Sequence, residues 1–154
     1  MSESAYTTVV VGTDGSESSL RAVARAGAIA GATGATLVIA CAYLPADPDD
    51  RKTAEAQDAL RDDAYQVVGS HPAEDTVRTA AERASKAGAG EVKTVAVMGS
   101  PVETLLDVVK NENADLLVVG NRGLAGIKGR LLGSVPADAT RRSGVDVLVV
   151  HTTG

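Results

Sequence analysis

The chain reads as an α/β protein, one domain built on a single doubly wound, five-stranded parallel sheet with helices on both faces. Three observations predict this. Five short runs of β-branched and aliphatic residues alternate with segments whose apolar residues fall at helical spacing. The second run, LVIACA, is apolar on both faces, as a strand buried between helix layers must be. The length, 154 residues with no internal repeat, low-complexity tract or linker, suits one domain with a sizeable core.

The elements follow in order. Residues 6–12 (YTTVVVG) form the first strand. Thr13-Asp14-Gly15-Ser16 is turn chemistry, with Ser16 placed to cap a helix and Glu17 putting negative charge in its first turn. In that helix Leu20, Val23, Ala24, Gly27 and Gly31 share one face, small enough to lie close on a sheet, and residues 31–34 end it. The second strand is residues 37–42. A polar, proline-bearing loop follows (PADPDD), and residues 52–68 read as an insertion or an extra helix with a ragged apolar face. Val77, Ala80, Ala81, Ala84 and Ala87 form the next helical stripe, with His71 as a cap before Pro72 and Gly88 as the stop. The third strand is residues 92–98. Ser100-Pro101-Val102-Glu103 predicts a capping box with proline at the first helical position, ahead of Val102, Leu105, Leu106 and Val109 at helical spacing. Residues 115–119 (DLLVV) form the fourth strand, residues 135–142 a short helix, and residues 145–151 (VDVLVVH) the fifth strand.

Composition excludes several functions. Phe and Trp are absent and only three Tyr occur, so the core is Val, Leu, Ile and Ala, and platforms for base stacking are missing. The formal net charge of −5 argues against nucleic-acid and anionic-membrane partners. The single cysteine, Cys41, lies in an apolar run and reads as a core residue; no disulfide can form within one chain, which fits a reducing cytosol. The acidic N-terminus lacks a signal-peptide core and no apolar run approaches membrane length, so a cytoplasmic protein is expected.

The most informative stretch follows the fourth strand: Gly120-Asn121-Arg122-Gly123, then Gly126, Gly129 and Gly133-Ser134, then the short helix. Glycines let backbone N–H groups approach an anion, and a helix N-terminus adds partial positive charge. In an open parallel sheet ligands bind beyond the carboxyl ends of the strands where the winding reverses. If the chain winds one way through the second and third strands and back through the fourth and fifth, the residue 12–16 loop faces this glycine ladder across one crevice. Neither loop carries a Walker lysine or a G-x-G-x-x-G fingerprint, which disfavours a P-loop and a nicotinamide dinucleotide. Asp14 suits ribose hydroxyls or an adenine edge, or else is only a turn residue. Ser134 suits a phosphate and can also cap the helix. Arg122 can counter phosphate charge, whereas Lys128 and Arg130 read first as solvated loop charges. His71 and His151 have no nucleophile or metal-ligand partner at a telling spacing, so no catalytic residue is expected and the chain is not read as an enzyme.

Gly120-x-x-Gly123, nine residues, then Gly133-Ser134 resembles the G-2x-G-9x-G-(S/T) signature of ATP-binding universal stress proteins. The resemblance extends through the VVVGTDGSESS opening, LLVVGNRG, LLGSVPADATRRS and the terminal VDVLVV. It implies strand order 3-2-1-4-5, a homodimer through the last strand, and an adenine nucleotide in the crevice. By match to the family motif, Gly12, Thr13 and Asp14 would meet the adenosine, and Ala42 would line the adenine pocket. Gly120, Asn121, Arg122 and Gly123 would follow the ribose and phosphates, with Gly133, Ser134 and Val135 closing on the phosphates. ATP is the first expectation, with Mg accompanying the triphosphate. The chain departs from the common pattern at Gly12, where many relatives carry proline. VVVGTDGS, AYLP and GRLLGSVPA together are most similar to a small actinobacterial branch, some members of which bind cyclic AMP, so cyclic AMP is the alternative ligand. Slow ATP hydrolysis is the alternative activity.

Overall fold

The computed structural model describes residues 5–45, 67–120 and 142–151. Strand β1 is Thr8–Gly12, helix α1 Glu17–Thr33 and strand β2 Thr36–Leu44. Then come β3, Val67–Val68; α2, Ser70–Lys86; β4, Val92–Met98; and α3, Pro101–Asn111. Strands β5, Leu116–Gly120, and β6, Asp146–Val150, complete the sheet. The five expected strands lie parallel in the order β4-β2-β1-β5-β6, which is the order 3-2-1-4-5. The short helix expected over residues 135–142 lies outside the described residues except at Arg142, as does most of the expected insertion.

The sheet separates two apolar layers. Val9, Val11, Leu37, Ile39, Cys41, Leu116 and Val118 face α1 and α2, while Val10, Val38, Ala40, Leu117 and Val119 face α3. The alternation along each strand is the period-two pattern of a sheet buried on both faces. At roughly 25 cal/mol per Å² of apolar area, each fully buried Val or Leu here contributes about 2 kcal/mol before the entropy of ordering is subtracted.

Local chemistry sets the ends. The Ser16 hydroxyl accepts from the Ser19 N–H and caps α1 as expected, and Gly34 ends it in the left-handed region at φ 72°. Asn113 takes the same conformation after α3, at φ 56°. Two expected caps are not formed. Residue Gly69, not His71, is the N-cap of α2, and His71 is an exposed residue of its first turn. Ser100 is the N-cap of α3 but makes no side-chain cap bond, and the Glu103 carboxylate that would complete the box instead pairs with Arg142, 2.8 Å from its Nη2.

Gly27 and Gly31 do not face the sheet, as their spacing suggests; Gly27 faces α2 and Gly31 the turn that follows it. A Cβ at Gly27 would stand 2.7 Å from the Ala84 carbonyl oxygen, and one at Gly31 would overlap the Gly88 carbonyl. The small face brings two helix backbones together on one side of the sheet.

The strand β3 was not foreseen. It pairs through Tyr43↔Val67 and Leu44↔Val68, and Gly69 N–H donates to the Leu44 carbonyl at 2.7 Å. Strand β4 already runs along one edge of β2 as far as Tyr43. Therefore β3 takes the other edge, the one β1 occupies only as far as Ala40. Residues 67–69 thus sit above the carboxyl end of β1.

Candidate functional site

The chain leaves β1 toward β2 and later leaves β5 toward β6, in opposite directions along the sheet. The strands that follow β1 and β5 lie on opposite sides of this central pair, so the winding reverses there, and the expected crevice falls at the carboxyl ends, between Gly12 and Gly120. Gly12, Thr13, Asp14, Ala42 and Gly120 all come to this end of the sheet. Asn121, Arg122, Gly123, Gly133, Ser134 and Val135 lie outside the described residues, as do Lys128 and Arg130.

Each described residue has a physical reason for its type. Gly12 is small because α3 is close: an added Cβ would lie 2.9 Å from Leu105 Cδ2. Thr13 is 7% exposed; its N–H donates to the Ala40 carbonyl at 3.0 Å and its hydroxyl lies 2.8 Å from Ser19 Oγ. Asp14 does form a turn, its Oδ1 accepting from the Ser16 N–H at 2.9 Å. Gly15 sits at φ +87° against Thr76 of α2, a conformation that disfavours a side chain. Ala42 is half-buried and lies two residues past the point where β1 stops pairing with β2. Its place in the β2 alternation puts it on the α3 side, with Val38 and Ala40.

Cys41 is the titratable core residue beneath this end. Burial, and then the charge of Asp14, push its thiol up to about 11, so it stays protonated and contributes packing. Its Sγ donates to the Ala42 carbonyl at 3.6 Å.

The opposite end of the sheet holds the other polar cluster. The Asp115 carboxylate accepts from Thr7 N–H at 3.0 Å, Thr7 Oγ1 at 3.1 Å and Thr8 N–H at 3.1 Å. Partial desolvation works to raise its pKa, but these hydrogen bonds outweigh it and hold the carboxyl below its ordinary value. The Tyr6 hydroxyl donates to Asp146 at 2.9 Å, which raises the Tyr6 pKa. These bonds tie the start of β1 to β5 and β6, far from the crevice.

Two features of the crevice escaped sequence reasoning. One is β3, whose two valines carry no distinguishing pattern. The other is Ser19, which bonds to three residues of the loop but reads in sequence as one of several helix serines.

Comparison with known proteins places this geometry. The model of the universal stress protein family matches residues 5–151. The chain belongs to the universal stress protein family. A universal stress protein of Mycobacterium tuberculosis strain H37Rv is 56% identical over 150 residues, covering 97% of this chain and 99% of that protein. A universal stress protein solved in complex with cAMP is 49% identical at TM-score 0.75, covering 97% of this chain and all, 100%, of that one. The solved structure of a Mycobacterium tuberculosis H37Rv protein is 50% identical at TM-score 0.61, covering 99% of this chain and 100% of that one. These mycobacterial relatives bear out the expected likeness to an actinobacterial branch of the family, along almost the whole chain.

Proposed function

We propose that this universal stress protein binds an adenine nucleotide in the crevice between Gly12 and Gly120 and acts as a regulator whose state reports the ligand. The observation that carries the reading is the 49% identity to a universal stress protein solved in complex with cAMP. Cyclic AMP thereby becomes the first candidate and ATP, the first expectation from the signature, the second. The same crevice suits either base and ribose; the two differ in charge. A cyclic monophosphate brings one negative charge to an acidic protein, where a triphosphate brings several and needs counter-cations. Among the described residues no group of three or more His, Cys, Asp or Glu is gathered for a metal. A magnesium accompanying a triphosphate would be held mainly by the phosphates themselves.

Binding rather than turnover is favoured by what the titratable groups at this end do. Asp14 gives one carboxylate oxygen to a turn, and Cys41 is a buried, protonated thiol. The glycine ladder and Ser134 are proposed to hold the phosphate. Calorimetric titration with cyclic AMP, ATP, ADP and AMP tests the reading. We expect saturable heat with cyclic AMP, lost in Gly123→Val while the fold persists. Absence of heat and of any thermal shift with all four nucleotides would overturn it.

A dimer through the last strand belongs to the same proposal. β6 ends the sheet, pairing only with β5 among the described strands, and Val149 is 42% exposed. An apolar edge strand is an association hazard unless another strand covers it. Sedimentation is expected to show a dimer, and a monomer at micromolar concentration would contradict it. No helix of the described residues is long and apolar enough to cross a membrane.

A further inference from the structure

One hydroxyl in the first turn of α1 reaches three residues of the loop between β1 and α1. Ser19 Oγ donates to the Ser16 carbonyl at 3.0 Å, accepts from the Asp14 N–H at 3.3 Å, and lies 2.8 Å from Thr13 Oγ1. A hydroxyl has a single proton, and a carbonyl can only accept. Either hydroxyl can supply the proton between them; when the Ser19 proton goes to the Ser16 carbonyl, Thr13 is the donor to Ser19. Thr13 Oγ1 in turn accepts the Gly15 N–H at 3.1 Å. In that arrangement the hydroxyl proton of Thr13 stays inside the loop.

We infer that Ser19 is the positioning residue of this loop, acting on the nucleotide through Thr13, Asp14 and Gly15 without touching it. The inference rests on the proposal that the crevice binds an adenine nucleotide. Its physical basis is that Ser19 sits in the first turn of α1, a helix fixed by Ala22, Val23, Ala26 and Ala30 in the core. The hydroxyl thus ties the Asp14 N–H, the Ser16 carbonyl and the Thr13 side chain to a rigid element, which is how a binding loop is kept in its bound shape before the ligand arrives. Cap and tether are separable. The α1 cap uses the Ser16 hydroxyl and the Ser19 N–H, so a change at the Ser19 side chain leaves it intact.

The test compares wild type, Ser19→Ala and Ser19→Thr by calorimetric titration with cyclic AMP and with ATP. Amide hydrogen exchange at Asp14 and Gly15 is measured on the unliganded proteins. Ser19→Ala is expected to weaken the nucleotide that wild type binds by about tenfold, the size of one lost hydrogen bond. Its Asp14 and Gly15 amides should exchange faster, with the urea midpoint little changed. Ser19→Thr keeps the hydroxyl on the same Cβ and is expected to restore both. Wild-type affinity in Ser19→Ala, or affinity in Ser19→Thr as weak as in Ser19→Ala, would overturn the inference while leaving the nucleotide reading standing. A wild-type protein that binds neither nucleotide would overturn both, and that arm alone separates the two failures.

Discussion

Replacing Gly31 by Ala puts two known quantities against each other. In a helix interior Ala is better than Gly by about 0.8–1.0 kcal/mol, so an open site would gain stability. Gly31 is not open. The added methyl carbon would stand 2.8 Å from the Gly88 carbonyl carbon and overlap its oxygen. The obstacle is backbone, which cannot rotate away as a side chain can. Nor can the helices slide past each other cheaply, because Gly27 meets Ala84 four residues earlier, where a Cβ would be 2.7 Å from the carbonyl oxygen. Overpacking of this kind costs about 1–3 kcal/mol, and backbone on both sides argues for the upper end. Setting about 3 against about 1 leaves a net loss of roughly 2 kcal/mol. With a urea m-value on the order of 2 kcal/mol/M, the midpoint should fall by about 1 M at unchanged slope. Gly90→Ala is the control: nothing lies within 4 Å of its added Cβ, and its stability should stay within about 0.5 kcal/mol of wild type. Helical ellipticity followed through urea reads both. A Gly31→Ala protein more stable than wild type would refute the close contact between α1 and the turn that ends α2.

Two further outcomes follow from the polar ends of the sheet. Asp115→Asn turns an amide N–H₂ toward donors on Thr7 or Thr8, and should cost about 1–2 kcal/mol at neutral pH, since solvent screens part of the interaction. The Asp115 pKa is lowered in the folded protein, so its contribution is complete above the ordinary carboxyl value of 3.8 and is lost as pH falls through the folded value. The gap in urea midpoint between wild type and Asp115→Asn should therefore close in that acid window, and a gap independent of pH would contradict the assigned bonds. Cys41, buried and pushed up to about 11, should resist a disulfide-exchange reagent in the native protein and react fully in urea. Prompt labelling of the folded protein would show that this end of β2 opens.

The sheet was legible because its strands are apolar on both faces and its helices are amphipathic, and those patterns come from burial itself. Gly34 and Ser16 were legible for a similar reason: each solves a local backbone problem that depends on few neighbours. What failed depended on distant partners. The Ser100 capping box is complete in sequence, but Glu103 pairs with Arg142, 39 residues away. Gly27 and Gly31 announce a close approach without saying to what, and the answer, α2 and the turn that ends it, is set by the order of the strands. At the site, loop chemistry and topology brought Gly12, Thr13, Asp14 and Gly120 to one end of the sheet, and the family resemblance added Ala42; all five are found there. Sequence did not distinguish Ser19 from its neighbours, because its role lies in which atoms its hydroxyl reaches. Gly12 stood out as a departure from the family pattern, and its packing against Leu105 gives that glycine a reason unrelated to any ligand.

The central claim is a location, and amide chemical shifts locate a ligand directly. Titrating isotopically labelled protein with cyclic AMP, and separately with ATP, should move the amides of Gly12 to Ser16, Ala42 and Gly120, at the carboxyl ends of the central strands. Those of Thr7, Thr8, Asp115 and Asp146, at the opposite end of the sheet, should stay in place. Shifts confined to that opposite end, or none at the crevice with either nucleotide, would contradict the account.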